Sequence, residues 1–135
     1  MSNIHTPTDQ VLSKCLDLGT LATQNSLGVD CLSYSRAKML IAATTAAAST
    51  LDAVVQESND NGVTDPYLTV LGSNITTIPA SSNKATRTLS VNLSHRKRFL
   101  RVAETVAGTV NGFVGIELYN AEEMPVTQDF APVSF

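Results

Sequence analysis

Apolar and polar side chains alternate with a period of two over several stretches of this chain, the signature of strands that bury one face and wet the other. The cleanest case is TRTLSVNLS (86–94), where Leu89, Val91 and Leu93 fall on one side and Thr88, Ser90 and Asn92 on the other. In KRFLRVAETV (97–106) the inward set is Leu100, Val102 and Val106, with Glu104 interrupting it. VNGFVGIELY (110–119) sets Val114, Ile116 and Leu118 against Phe113, Gly115, Glu117 and Tyr119. Gly108 and Gly112 suit a chain reversal between the last two stretches, so the three strands are expected to form an antiparallel meander.

Upstream, AKMLIAA and TLDAVVQES predict another pair of strands, and QVLSKCLDL a less regular one. SNDNGVTDPY, punctuated by Asn61-Gly62 and Asp65-Pro66, is a turn cluster. The alanine-rich stretch AATTAAASTLDAVV has helix-forming composition, but β-branched Thr44, Thr45 and Thr50 favour a loop joining strands. Pro125 and Pro132 keep the end of the chain out of any sheet interior. Its isolated aromatics, Phe130 and Phe135, must therefore pack on the domain's own surface or on a neighbour.

A chain of 135 residues, 43% hydrophobic and 16% charged, fits one soluble globular domain. The longest uncharged apolar stretch, Met39 to Leu51, is too short and too rich in Thr and Ser to span a hydrocarbon layer of about 30 Å, so no membrane partner is expected. The opening MSNIHTPTDQ lacks the basic start and apolar run of a signal peptide, which predicts an intracellular origin. Cys15 and Cys31 match no zinc or redox spacing and are expected as reduced, partly buried thiols, with a bond between them left open.

Enzyme chemistry has little to stand on. The chain contains no P-loop, dinucleotide glycine fingerprint, Gly-x-Ser-x-Gly elbow or His-Glu-x-x-His helix. His5 and His95 are the only imidazoles, and no nucleophile and base pair suggests itself, so neither catalysis nor a cofactor is expected. SNDNGVTD offers oxygen donors around a glycine but lacks the distal bidentate Glu of a calcium loop, and no metal is expected.

The most distinctive string is SHRKRFLR (94–101), which holds four of the nine basic side chains in a chain of net charge -3. On a strand, Arg96 and Arg98 project to one side and Lys97 to the other, so no continuous basic face results. Aromatics are 5% of residues, and nucleic acid is not expected as a partner. Two uses remain: a charged strand entrance that blocks edge pairing, or a polar contact with an acidic protein.

Taken together, LDLGTL, LDAVVQESNDNG, RKRFLRVAETVAG and GFVGIELYNAEEMPV resemble the small decoration, or cement, proteins of tailed-phage heads and their prophage relatives, over about residues 16–126. Members of that family often carry glycine in the loop that is Thr44 to Ser49 here, and Trp after the acidic turn, where this chain has Tyr67. The resemblance implies an all-β fold: an antiparallel β-sandwich, jelly-roll-like, over residues 10–120, with extended arms at 1–9 and 121–135. It also implies a homotrimer on the outer surface of the virion capsid, assembled in the host cytoplasm, that links major capsid protein subunits without enzyme activity or cofactor.

Phe130 and Phe135 are the candidate anchors in that setting, since aromatic side chains in pockets dominate interface energy, unless they cover their own domain. Arg96, Lys97, Arg98 and Arg101 are weaker candidates for pairing with an acidic capsid surface. Alternatives are another virion component, such as a tail or connector protein, and a cellular ligand-binding β-sandwich. The latter needs a concave aromatic platform, whereas Tyr34, Tyr67, Phe99, Phe113 and Tyr119 are scattered along the chain.

Overall fold

Strands β4 (Arg36–Thr45) and β5 (Thr50–Ser58) carry the alternation without a break, with every second residue buried from Ala37 to Thr45 and from Leu51 to Val55. The alanine-rich segment therefore continues β4 and then turns at residues 46–49, where Ala48 takes a positive φ of 58°. It does not form a helix, because Ala43 and Thr45 are held in the buried face of the strand. The computed structural model describes residues 11–119; the arms expected at 1–9 and 121–135, with Phe130 and Phe135, lie outside the described residues.

The other strands are β1 (Leu12–Thr20), β2 (Gln24–Asn25), β3 (Val29–Asp30), β6 (Leu68–Thr69), β7 (Ala85–Asn92), β8 (Phe99–Ala107) and β9 (Val110–Tyr119). They form two antiparallel sheets, in the orders β1-β9-β4-β7 and β2-β8-β5-β6, with β3 beside β2 on the same edge of β8. Among the long strands, β4 and β5, β7 and β8, and β8 and β9 follow one another along the chain yet lie in opposite sheets, the arrangement of a jelly roll. The all-β antiparallel sandwich expected from the sequence is the observed fold.

The meander is not. Strands β7 and β9 both flank β4 in one sheet, while β8 pairs with β5 in the other. Two corners carry the chain across the core side by side. In them the Ala46 N–H donates to Thr109 O (3.1 Å) and the Thr109 N–H donates to Ser49 Oγ (2.9 Å). Gly108, at φ +76°, leaves no room for a side chain: a Cβ there would lie 2.2 Å from Ser49 Oγ. The glycine serves a crossing between sheets, and its short spacing only imitates a hairpin.

The sandwich interior holds the aliphatic sets that the alternation predicts. Val91, Leu100, Val102, Val114, Ile116 and Leu118 are buried, and Leu89, Leu93 and Val106 pack against them. Ile78, also fully buried, comes from an irregular segment that runs along the outer edge of β5. Here Val70, Ile75 and Ile78 donate their N–H groups to the carbonyls of Val55, Ala53 and Leu51 at 2.9, 3.1 and 2.9 Å. Ser73 Oγ accepts from the Val55 N–H (3.1 Å) and donates to Val55 O (3.0 Å). Since β6 covers only two residues of β5, this segment satisfies the rest of that edge.

Cys15 and Cys31 are both free thiols, Cys15 exposed and Cys31 buried. Burial pushes the Cys31 thiol up to about 12, which leaves it unreactive. No helix of the described residues is long and apolar enough to cross a membrane.

Candidate interaction surface

One end of the sandwich gathers the β5–β6 loop, the β2–β3 loop and the entrance to β8. The β5–β6 loop is built on Ser58, which is fully buried at the end of β5. Its hydroxyl accepts from the Gly62 N–H (2.8 Å) and donates to Asp65 O (2.6 Å). Asp60 then receives the N–H groups of Val63, Thr64 and Asp65 at 3.1, 2.8 and 3.1 Å. The Thr64 hydroxyl, followed by these backbone N–H groups and Ser58, holds the Asp60 carboxyl down at about 2. Asn61 and Gly62 take the positive φ values, 60° and 80°, that the Asn-Gly pair predicts. The oxygen donors of this turn are thus engaged by the loop itself.

Tyr67 ties the loop to its neighbours. Its hydroxyl donates to Asn61 Oδ1 (2.6 Å), and the Arg101 guanidinium stacks over its ring at 4.1 Å from the centroid. Gly28, in the β2–β3 loop, lies against both: a Cβ there would fall 2.0 Å from Asn61 Oδ1 and 2.1 Å from the Tyr67 hydroxyl.

The basic cluster is placed differently from the sequence expectation. Residues 94–98 form a turn, with His95 at φ 67°, and β8 begins only at Phe99. Strand alternation therefore does not sort Arg96, Lys97 and Arg98. Nor do they guard an edge, because β8 is interior, with β5 on one side and β2 and β3 on the other.

Each cation meets its own partner. Arg96 Nη1 lies 3.5 Å from Glu57 Oε1, and Lys97 Nζ contacts Asp65 Oδ2 at 2.9 Å. Arg98 donates from Nε and Nη2 to the two oxygens of Asp30 at 2.9 and 2.7 Å. Arg101 Nε donates to Gln56 Oε1 at 2.8 Å. The guanidinium holds the Asp30 carboxyl below its ordinary range, and Lys97 does the same for Asp65. Exposed pairs of this kind contribute about 0–1 kcal/mol each, so their main effect is to fix three loops in one geometry.

Around this frame stand four exposed apolar side chains: Leu27 at 88%, Val63 at 79%, Leu68 at 60% and Leu32 at 59% exposure. Leu27, Pro66, Tyr67 and Arg101 line a hollow of about 380 Å³ between the loops. Leu32 is held through its N–H, which donates to Asp30 Oδ1 (3.0 Å), the carboxylate that Arg98 clamps. Sequence reasoning found the cations but missed these aliphatic side chains. The signal was there in NSLGVDCLS and NGVTDPYLTVLG, where large apolar residues sit in turn-rich stretches that no strand alternation accounts for.

A second unusual group lies inside the sandwich. A register shift between Cys15 and Asp17 in β1 places Asp17 opposite Val114, on the inward side of the sheet. There Gln24 Nε2 donates to Asp17 Oδ2 at 2.8 Å. Glu104, which pairs with Gln24 across β2–β8, is 2% exposed, and neither of its carboxyl oxygens has a hydrogen-bond partner. Burial first, and the Asp17 carboxylate second, push Glu104 up to about 8, against a smaller opposing pull from Gln24. It holds its proton at neutral pH, and that proton is the donor Asp17 can accept.

No protein-family model matches the chain, and neither does any curated protein. Among solved structures it is similar to a chain of the disulfide-linked pili formed by Bacillus endospore appendages, at 15% identity over 90% of this chain and 100% of that one, with a TM-score of 0.41. It is also similar to Eiger TNF from S. frugiperda, at 11% identity over 97% of this chain and 94% of that one, with a TM-score of 0.42.

Proposed function

We propose that this protein is a structural, non-enzymatic decoration protein that binds the outside of a tailed-phage head as a homotrimer and links neighbouring major capsid protein subunits. The shell as partner rests on the resemblance of residues 16–126 to that family. The contact surface is the loop end of the sandwich, and the observation that carries it is the set of exposed side chains Leu27, Leu32, Val63 and Leu68 on a rigid frame. Burying such a side chain fully is worth about 1.5–3 kcal/mol, and a frame already ordered loses little entropy on binding.

Arg96, Lys97, Arg98 and Arg101 act in this proposal by holding the loops rather than by pairing with acidic capsid groups: the first three meet carboxylates within the domain, and Arg101 is held by Gln56 and the Tyr67 ring. Repetition supplies the rest: a symmetric oligomer on a lattice of identical sites gains avidity even when each contact is weak.

Co-sedimentation of the purified chain with expanded, DNA-filled heads and, separately, with tails is the test. Binding to heads should survive a rise from about 0.1 to 0.5 M salt, because apolar burial and not charge drives it. The Leu27→Asp/Val63→Asp double variant should fold and fail to bind. Undiminished binding by that variant, or binding to tails alone, overturns the assignment.

A further inference from the structure

The outer face of the β1-β9-β4-β7 sheet carries a groove of about 570 Å³ that the loop-end surface does not use. Its floor is apolar. The Phe113 ring lies over Gly115, where a Cβ would come within 2.4 Å of the ring's Cζ, and Leu40 and exposed Cys15 stand beside it. Toward the end of β9 the same face carries both signs of charge: Glu117, at the rim of the groove and opposite Lys38, accepts from the Tyr119 hydroxyl (2.7 Å), and Arg36, Lys38, Ser90 and Tyr119 line an adjoining hollow of about 320 Å³. Neither Arg36 nor Lys38 makes an ion pair among the described residues, in contrast to the matched cations at the loop end.

We propose that this groove is the docking site for residues 121–135 of the same chain, with Phe130 or Phe135 seated beside the Phe113 ring against Leu40 and the acidic residues of that segment set against Arg36 and Lys38.

Three features argue for this occupant. The first is charge: residues 120–135 contain Glu122, Glu123 and Asp129 and no basic residue. The second is reach. The described chain stops at Tyr119, which is paired with Arg36, so Glu122 and Glu123 start within about 14 Å of the basic hollow. Returning from Tyr119 to the level of Phe113 takes about 20 Å of strand length, whereas eleven extended residues to Phe130 reach about 36 Å. The third is tethering, which gives a short attached segment an effective concentration on the order of millimolar and favours it over a free competitor.

Cys15 makes the proposal measurable, because it lines the groove while the other thiol, Cys31, is buried. In the full chain, alkylation of Cys15 by a maleimide should be about ten-fold slower than in the Phe130→Ala/Phe135→Ala variant. Lys38→Glu should accelerate it too. A second arrangement tests proximity directly: Phe130→Cys with Cys31→Ser, under mild oxidation, should form a disulfide to Cys15 within single chains. Equal alkylation rates in all variants overturn the proposal. So does a bond that forms only between chains, which would assign the groove to a neighbouring copy, and so does the absence of any bond.

Discussion

Glu104→Gln is the substitution for which the structure gives the sharpest quantitative expectation. The glutamate carboxyl has an ordinary value of 4.5 and is pushed up to about 8 in the fold by burial and by Asp17. Between those values the native chain binds a proton that the unfolded chain has lost, so native stability must fall as pH rises. The slope is about 1.4 kcal/mol per pH unit midway between the two values, or about 3 kcal/mol lost between pH 4.5 and pH 7 and about 4 kcal/mol by pH 8. Glutamine keeps the shape and supplies a permanent donor for Asp17, so the variant should show almost none of this fall. Urea denaturation at half-unit steps from about pH 5 to 8.5 measures it. If the glutamine variant loses stability as steeply as the parent, Glu104 does not hold its proton in the native state and the assignment is wrong.

Further outcomes follow from the same packing. Ile78→Ala should cost about 2–5 kcal/mol by denaturant titration, because a fully buried side chain leaves a cavity among residues of both sheets. Ser73→Ala removes the hydroxyl that accepts from the Val55 N–H, while Val55 O keeps the Val70 N–H, and should cost about 1–3 kcal/mol, with faster amide exchange at Val55. In the native protein one thiol, Cys15, should react with a small alkylating reagent, and Cys31 should follow only after unfolding, as mass spectrometry would show. Below about pH 4 stability should fall again, because Asp30, Asp60 and Asp65 sit below their ordinary value of 3.8 and their stabilisation is lost as they protonate.

The strands were legible in the sequence because alternation is local: each of Leu89, Val91, Leu100, Val102, Val114, Ile116 and Leu118 declares its face through its immediate neighbours. Partnership was not legible. Ala46 to Ser49 and Gly108-Thr109 have the lengths of hairpin turns, and only the pairing of β4 with β9 and of β5 with β8 distinguishes an arch from a hairpin. Glu104 reads as a break in an apolar face. In the fold it occupies that face fully, and the residue it needs, Asp17, is turned inward by a register shift with no signature in composition. The cations were visible as a string, but their partners Asp30, Glu57 and Asp65 come from separate elements. Leu27 and Val63 escaped notice because a large aliphatic residue is read as core until a structure exposes it.

Electron cryo-microscopy of tailed-phage heads incubated with the purified chain tests the central claim most directly. The account predicts trimeric density on the outer shell with Leu27, Val63 and Tyr67 turned toward the major capsid protein at the junction of neighbouring subunits. Bare heads, or bound density with that end pointing into solvent, would contradict it.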